Sequence, residues 1–209
     1  INSGQAFAIA DLNSDGKLDI FQTSQVVANA QLGSVAPNNS TVGNIVAGGA
    51  VGAGGTGAAN HNMRGAAVAD ISSPADGRPD AVWVFETSGG INNSLLQTNV
   101  NSGASPALSF ASNVGLISSG GFYRMWNAVA ADFDGDGLND VATYETNTPA
   151  PRLLVSRNTS TSGFTNTYYT LALGTASPQA GRMLVYDVDR DGKPDLLLFV
   201  GSSQCRVYR

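Results

Sequence analysis

The sequence predicts an all-β chain assembled from four repeats of about 55–60 residues, each carrying a DxDxDGxxD loop between its first two strands. Three observations carry that prediction. The composition suits strands and turns: 13% of the 209 residues are charged, 42% are apolar, and much of the rest is Gly, Ser, Asn and Thr, which favour turns over helices. The acid is confined: of 16 acidic residues only Glu86 and Glu145 are glutamates, and every aspartate falls in one of four short segments. Solubilising acid would be scattered and richer in glutamate. The last aspartates of those segments, Asp19, Asp80, Asp140 and Asp195, are spaced 61, 60 and 55 residues apart, and so regular a period marks a repeat architecture.

Each repeat opens with a short apolar strand, turns through an acidic segment and returns on a strand rich in β-branched or aromatic residues. In the first (about residues 5–62) these are "AFAIA", "DLNSDGKLD" from Asp11 and "IFQTS". In the second (63–122) they are "AAVA", "DISSPADGRPD" from Asp70 and "AVWVFE". In the third (123–180) they are "AVAA", "DFDGDGLND" from Asp132 and "VATYE", followed by strands "RLLVSR" and "NTYYTLAL" around the turn "NTSTSGF". In the fourth (181–209) they are "MLVY", "DVDRDGKPD" from Asp187 and "LLLFV". Antiparallel units of four strands are the blades of a β-propeller, so residues 1–209 are expected to form one such domain. The fourth repeat stops after "QCRVYR", its third strand, and the residues before Gln5 are too few to supply a fourth. An open edge is expected there, which another chain could pair with. Four repeats could close alone, form part of a larger ring, or complete one with other subunits.

The acidic segments have the chemistry of a cation site. Three share acid or Asn at positions 1, 3 and 5, Gly at 6 and Asp at 9: Asp11, Asn13, Asp15, Gly16 and Asp19; Asp132, Asp134, Asp136, Gly137 and Asp140; Asp187, Asp189, Asp191, Gly192 and Asp195. Calcium takes six to eight oxygens in a flexible cage, and alternate side chains along a curled loop can all point inward. Glycine at position 6 permits the sharp turn. Position 7 can add its backbone carbonyl, so its side chain is free to vary: Lys17, Leu138 and Lys193. Without a cation the clustered carboxylates repel and raise one another's pKa; with one, repulsion becomes coordination. Magnesium fits less well because it demands stricter octahedral geometry. No His or Cys lies in any loop, which disfavours transition metals.

The second segment departs from the pattern. Asp70 and Asp76 are six residues apart, Ser72 replaces the second acid, and Asp80 closes the loop. The extra "SPA" is expected to distort the cage, and the sequence leaves open whether that site takes an ion. None of the loops is an EF-hand, which closes on a glutamate at position 12; here that position is Gln22, Thr143 and Leu198 in the regular loops, and strands flank them.

With their strand context, these loops resemble FG-GAP/VCBS-type repeats, as found in integrin α-chain propellers and many secreted proteins. The resemblance covers the chain from about Gln5 to Arg209 and is closer to the VCBS variety, because the Phe-Gly…Gly-Ala-Pro element is not recognisable. It implies an extracellular or cell-surface, calcium-stabilised propeller with three calcium sites and a fourth in question, where calcium is structural and ligands bind on loops between blades.

The expected function is therefore non-catalytic: a structural or adhesive surface, matrix or filament subunit whose partners are other protein chains or further copies of itself. A glycan-binding lectin is the first alternative and a polysaccharide-active enzyme or accessory domain the second. Outside the loops only Glu86 and Glu145 could serve a glycosidase, and their matching places in the repeat favour a shared structural role. Trp83, Phe85, Tyr144 and Phe199 read as packing between blades, and Trp126 or Tyr123 as a potential sugar platform. Asn38, Asn39, Asn92 and Asn158 each open an Asn-x-Ser/Thr sequon, which secretion would expose to glycosylation, although a chain so rich in these residues produces sequons by chance. Cys205, the single cysteine, is read as a small buried residue, with a reactive or intermolecular thiol as the alternatives. His61, without a nucleophile partner, reads as a surface or hydrogen-bonded residue. Glycines 52, 54 and 57 have dinucleotide-fingerprint spacing but no helix to follow them. A net charge of −5 with scattered basic residues disfavours nucleic acid. The densest apolar string, 196–200, is far too short for membrane insertion as a helix. The opening "INSGQAFAIA" shows no signal peptide, as a processed secreted protein would not.

Overall fold

The computed structural model describes residues 7–23, 33–36, 38, 51–53, 61–71, 75–87, 94–99, 115–118, 124–146, 151–159, 163–170, 182–200 and 204–209. Among them are fifteen strands and no helix, in four small antiparallel sheets. The first sheet is β1 (Phe7–Ala10), β2 (Asp19–Thr23), β3 (Gly33–Ala36) and β4 (Val51–Ala53); the second is β5 (His61–Ala69), β6 (Asp80–Thr87), β7 (Ser94–Asn99) and β8 (Gly115–Ser118). The third is β9 (Arg124–Ala131), β10 (Asp140–Thr146), β11 (Arg152–Thr159) and β12 (Gly163–Thr170), and the fourth is β13 (Arg182–Tyr186), β14 (Asp195–Val200) and β15 (Gln204–Tyr208). Every sheet is a meander in which each strand pairs with the one before it, so each expected repeat corresponds to one sheet. The boundaries differ in detail. His61 and Asn62, at the end of the first expected repeat, open β5, and β12 starts at Gly163 instead of Asn166 because Asn158 and Thr159 already pair with Phe164 and Gly163.

The first strands of the sheets stand side by side in chain order, β1 by β5, β5 by β9 and β9 by β13. At the second junction the backbones nearly touch: a Cβ on Gly65 would lie 2.4 Å from the Asn127 Cα. Only glycine fits there. Both strands are irregular at that point. The pairing of β5 with β6 shifts between Met63 and Gly65, the pairing of β9 with β10 shifts between Ala142 and Tyr144, and Asn127 takes a left-handed φ of 55°. Such bulges re-aim a strand by adding an unpaired residue.

Each interior sheet buries both faces. Between the second and third sheets lie Ala67, Ile71, Val82 and Val84 from one and Ala128, Val141 and Leu154 from the other. Between the third and fourth lie Ala142, Tyr144 and Leu153 against Met183, Leu196 and Leu198. Strand alternation fixes which residues face which way. In the first strands, residues three before the loop (Ala67, Val129) pack toward the following sheet, and residues four before it (Ala128, Met183) toward the preceding one. Among the described residues the series does not close on itself. Phe7 and Ile9 on β1 are 69% and 51% exposed, and Leu184 and Tyr186 on β13 are 55% and 67% exposed.

This openness overturns one expectation. Cys205 is exposed, because it pairs with Phe199 on the uncovered face of the fourth sheet. Of the aromatic residues expected between blades, Tyr144 is fully buried while Phe199 is on that uncovered face; the side chains of Trp83 and Phe85 lie outside those described.

Candidate metal centres

Each acidic segment forms the loop between the first two strands of a sheet, and one hydrogen-bond pattern recurs in all four. The carboxylate at position 1 accepts from the backbone N–H groups of positions 5 and 6. For Asp11 the donors are Asp15 at 3.0 Å and Gly16 at 2.8 Å. For Asp132 they are Asp136 at 3.1 Å and Gly137 at 2.8 Å, joined by Gly135 at 2.7 Å. For Asp187 they are Asp191 at 3.1 Å and Gly192 at 2.9 Å. Position 3 accepts from the same position 5 N–H through Asn13, Asp134 and Asp189. Position 5 in turn accepts from the N–H of position 7, that is Lys17, Leu138 and Lys193. These bonds wind the backbone around the acids. Gly16, Gly137 and Gly192 adopt φ between 84° and 88°, the left-handed turn for which position 6 needs glycine.

The second loop keeps this pattern despite its insertion. Asp70 accepts from Asp76 at 3.4 Å and Gly77 at 2.6 Å, and Asp76 accepts from Arg78 at 3.0 Å. Gly77 has φ 78°. Position 1 therefore still meets positions 5 and 6 across the longer segment. Ser72 lies outside the described residues.

Position 9 has a second role that its identity as an acid conceals. Asp19, Asp80, Asp140 and Asp195 are all buried, and each accepts through Oδ2 from the N–H of position 2: Leu12, Ile71, Phe133 and Val188, at 2.8–3.1 Å. The other oxygen of Asp19 accepts from Asn38 N–H at 2.7 Å, and that of Asp140 from Asn158 N–H at 2.8 Å. This residue latches the loop to the third strand as well as closing the acidic ring. For Asp140, burial raises the pKa; the bonds from Asn158 and Phe133 pull it back, and the charges of Asp134 and Asp136 push it up again.

The arrangement gathers oxygen donors. One carboxylate oxygen each from Asp132, Asp134 and Asp136 lie within 4.8 Å of one another, as do those from Asp187, Asp189 and Asp195. Such oxygen-only clusters suit a hard cation. The first loop offers Asn13 where the third and fourth have Asp134 and Asp189, so it carries one acid fewer.

Sequence reasoning missed three features. Position 4 is also left-handed, at Ser14, Gly135 and Arg190 with φ 59°, 80° and 62°; only Gly135 signals it. Arginines on the third strand or just past its end reach position 3: Arg157 of β11 pairs with Asp134, and Arg209, one residue beyond β15, with Asp189 at 3.3 Å. Neighbouring loops are also tied together, since Asn139 donates to the Asp70 carbonyl at 3.0 Å and Asn158 to the Ile71 carbonyl at 3.1 Å.

Asn158 is 1% exposed, so the amide nitrogen a glycan would need is buried and already bonded. Asn38 is half-buried; Asn39 and Asn92 lie outside the described residues. Glu145 is fully buried and held by Arg152 at 2.7 Å. Burial raises its pKa against the opposing pull of Arg152. Trp126 carries the Arg64 guanidinium 4.4 Å from its ring centre, and Tyr123 lies outside the described residues. A cleft of about 370 Å³ opens between the third and fourth sheets, with Phe133, Leu153 and Tyr208 in its walls and Arg157 and Arg209 beside them. No protein-family model matches the chain, and no curated protein matches it.

Proposed function

We propose that the chain is a non-catalytic, extracellular calcium-binding scaffold: an arc of β-propeller blades of the FG-GAP/VCBS kind, with calcium in the first, third and fourth loops and a weaker site in the second. The observation that carries this reading is the gathering of carboxylate oxygens in the third and fourth loops, from Asp132, Asp134 and Asp136 and from Asp187, Asp189 and Asp195, on a backbone whose position 1 and position 5 hydrogen bonds recur in all four loops. Nothing else in the sequence requires fourteen aspartates to be placed there. Calcium would join hairpin ends that otherwise repel, so its role is structural, and the work of the molecule is adhesive or architectural.

Thermal melting in chelator and in calcium tests the reading. Extracellular calcium modules bind at about 10⁻⁴–10⁻³ M, so the melting temperature should climb with calcium into the millimolar range by mass action. A melting temperature that is the same in chelator and in calcium would refute it.

The cleft between the third and fourth sheets favours a second reading, glycan binding, because it sets the ring of Tyr208 beside two arginines. Titration with soluble oligosaccharides, followed by tyrosine fluorescence, separates the two readings.

A further inference from the structure

Nine large apolar side chains among the described residues are exposed, and all belong to the first or the fourth sheet. On the first sheet they are Phe7, Ile9, Leu18 and Ile20, and on the fourth Leu184, Tyr186, Val188, Phe199 and Val207. Their register gives them meaning. Phe7, Ile9 and Ile20 hold the places that Met183, Val185 and Leu196 hold in the fourth sheet, where they pack on the preceding sheet. Leu18 matches Asn139, which reaches back to the preceding loop. On the other side, Leu184, Val188, Phe199 and Val207 match Val129, Phe133, Tyr144 and Val155, which pack on the following sheet. Leu184, Tyr186, Val188 and Phe199 also match Ala67, Ala69, Ile71 and Val84 of the second sheet, which pack on the third. The exposed residues are therefore the two unmatched halves of a junction that recurs along the chain.

We propose that these halves meet between molecules: the outer face of the first sheet of one copy seats on the outer face of the fourth sheet of another, head to tail. The occupant follows from continuity with the internal junctions, since what packs on such a face elsewhere in this molecule is the opposite face of another sheet of the same repeat. The end faces carry larger side chains than the junction between the second and third sheets, with Phe7 where Ala128 stands and Tyr186 where Ala69 stands. The intermolecular junction therefore holds its sheets further apart. Two unlike faces form a heterologous contact, which yields a ring if the rotation closes and a filament if it does not. This partner assignment rests on the reading of the chain as a scaffold, but not on calcium.

Analytical ultracentrifugation of the full chain in millimolar calcium, over a range of concentrations, is the test. Wild type should form dimers and larger species as concentration rises. Ile9→Asp and Leu184→Asp each remove one face and should each be monomeric alone, while an equimolar mixture should give a dimer that grows no further, because each variant supplies the face the other lacks. Phe7→Ser and Tyr186→Lys repeat the experiment should either variant misfold. Alkylation of Cys205, which shares the fourth-sheet face, should slow several-fold as wild type associates and not in Leu184→Asp. Monomeric wild type at every concentration overturns the proposal. So does a mixture that stays monomeric, or association that survives in one of the single variants. Melting the same samples with and without chelator keeps the readings apart: a calcium-stabilised monomer overturns only the head-to-tail contact, and an associating chain indifferent to chelator overturns only the calcium reading.

Discussion

Asp140 and Asp134 stand six residues apart in one loop and do different work. Both oxygens of Asp140 accept backbone N–H groups from Phe133 and Asn158. An asparagine there would turn an N–H₂ toward one of those donors. Asp140→Asn should therefore cost about 1–3 kcal/mol even in chelator, the penalty for a buried donor left without a partner. Asp134 accepts from Asp136 N–H through Oδ1 and pairs through Oδ2 with the half-exposed Arg157; such an exposed pair contributes at most about 1 kcal/mol, so Asp134→Asn should leave the chelated protein nearly unchanged and reduce calcium stabilisation instead. Denaturant unfolding of both variants, with and without calcium, separates the two roles. The sequence could not make this distinction, because a ligand and a latch both select aspartate. Position 6 was legible, since only glycine suits φ near 85°. Position 4 was not, because Ser14 and Arg190 bear the same backbone conformation without a residue that announces it. Arg190→Gly should consequently stabilise the fourth sheet by up to about 1 kcal/mol, the relief of a left-handed non-glycine residue less the entropy glycine adds to the unfolded chain.

The strands and loops were legible because their periodicities are local: two-residue alternation in the strands and fixed spacing in the acids. The junctions between sheets depend on contacts far apart in sequence, and only fragments showed through. Gly65 looks like any glycine in a chain with 25 of them until its approach to Asn127 is seen. Gly65→Ala should force β5 and β9 apart, costing about 1–3 kcal/mol or more as overpacking does. For a chain of this length that lowers the melting temperature by roughly 2–4 °C per kcal/mol. The arginine partners of position 3 follow the same logic. Arg157 could be matched to Asp134 only once β11 was placed against β10. Arg157 is half exposed, so its competition with a cation for Asp134 is screened, and Arg157→Met should raise the calcium affinity of the third loop a few-fold by titration calorimetry.

At the scale of the whole molecule, acid should act in opposite directions with and without calcium. Burial raises the folded-state pKa of Asp140 and Glu145 above their ordinary values of 3.8 and 4.5. A folded state that binds protons more tightly than the unfolded one gains stability as pH falls, so in chelator the melting temperature should rise on acidification through the raised values and level off near the ordinary ones. In calcium it should fall over the same range, because protons and the cation compete for the same carboxylates. Differential scanning calorimetry between neutral pH and about pH 4 reads both slopes. Four repeated units could be counted from the sequence. Whether they close into a ring could not, because that depends on the angle at each junction, which bulges at Gly65 and Asn127 help to set. The Asn139 bond to the Asp70 carbonyl has a wider consequence. The peptide that presents Asp70 to its own loop also braces the loop next door, so a disturbance at one corner is handed on to its neighbour. Emptying either of these two corners of mineral would then be felt at both, so the second and third should loosen together and the first and fourth on their own.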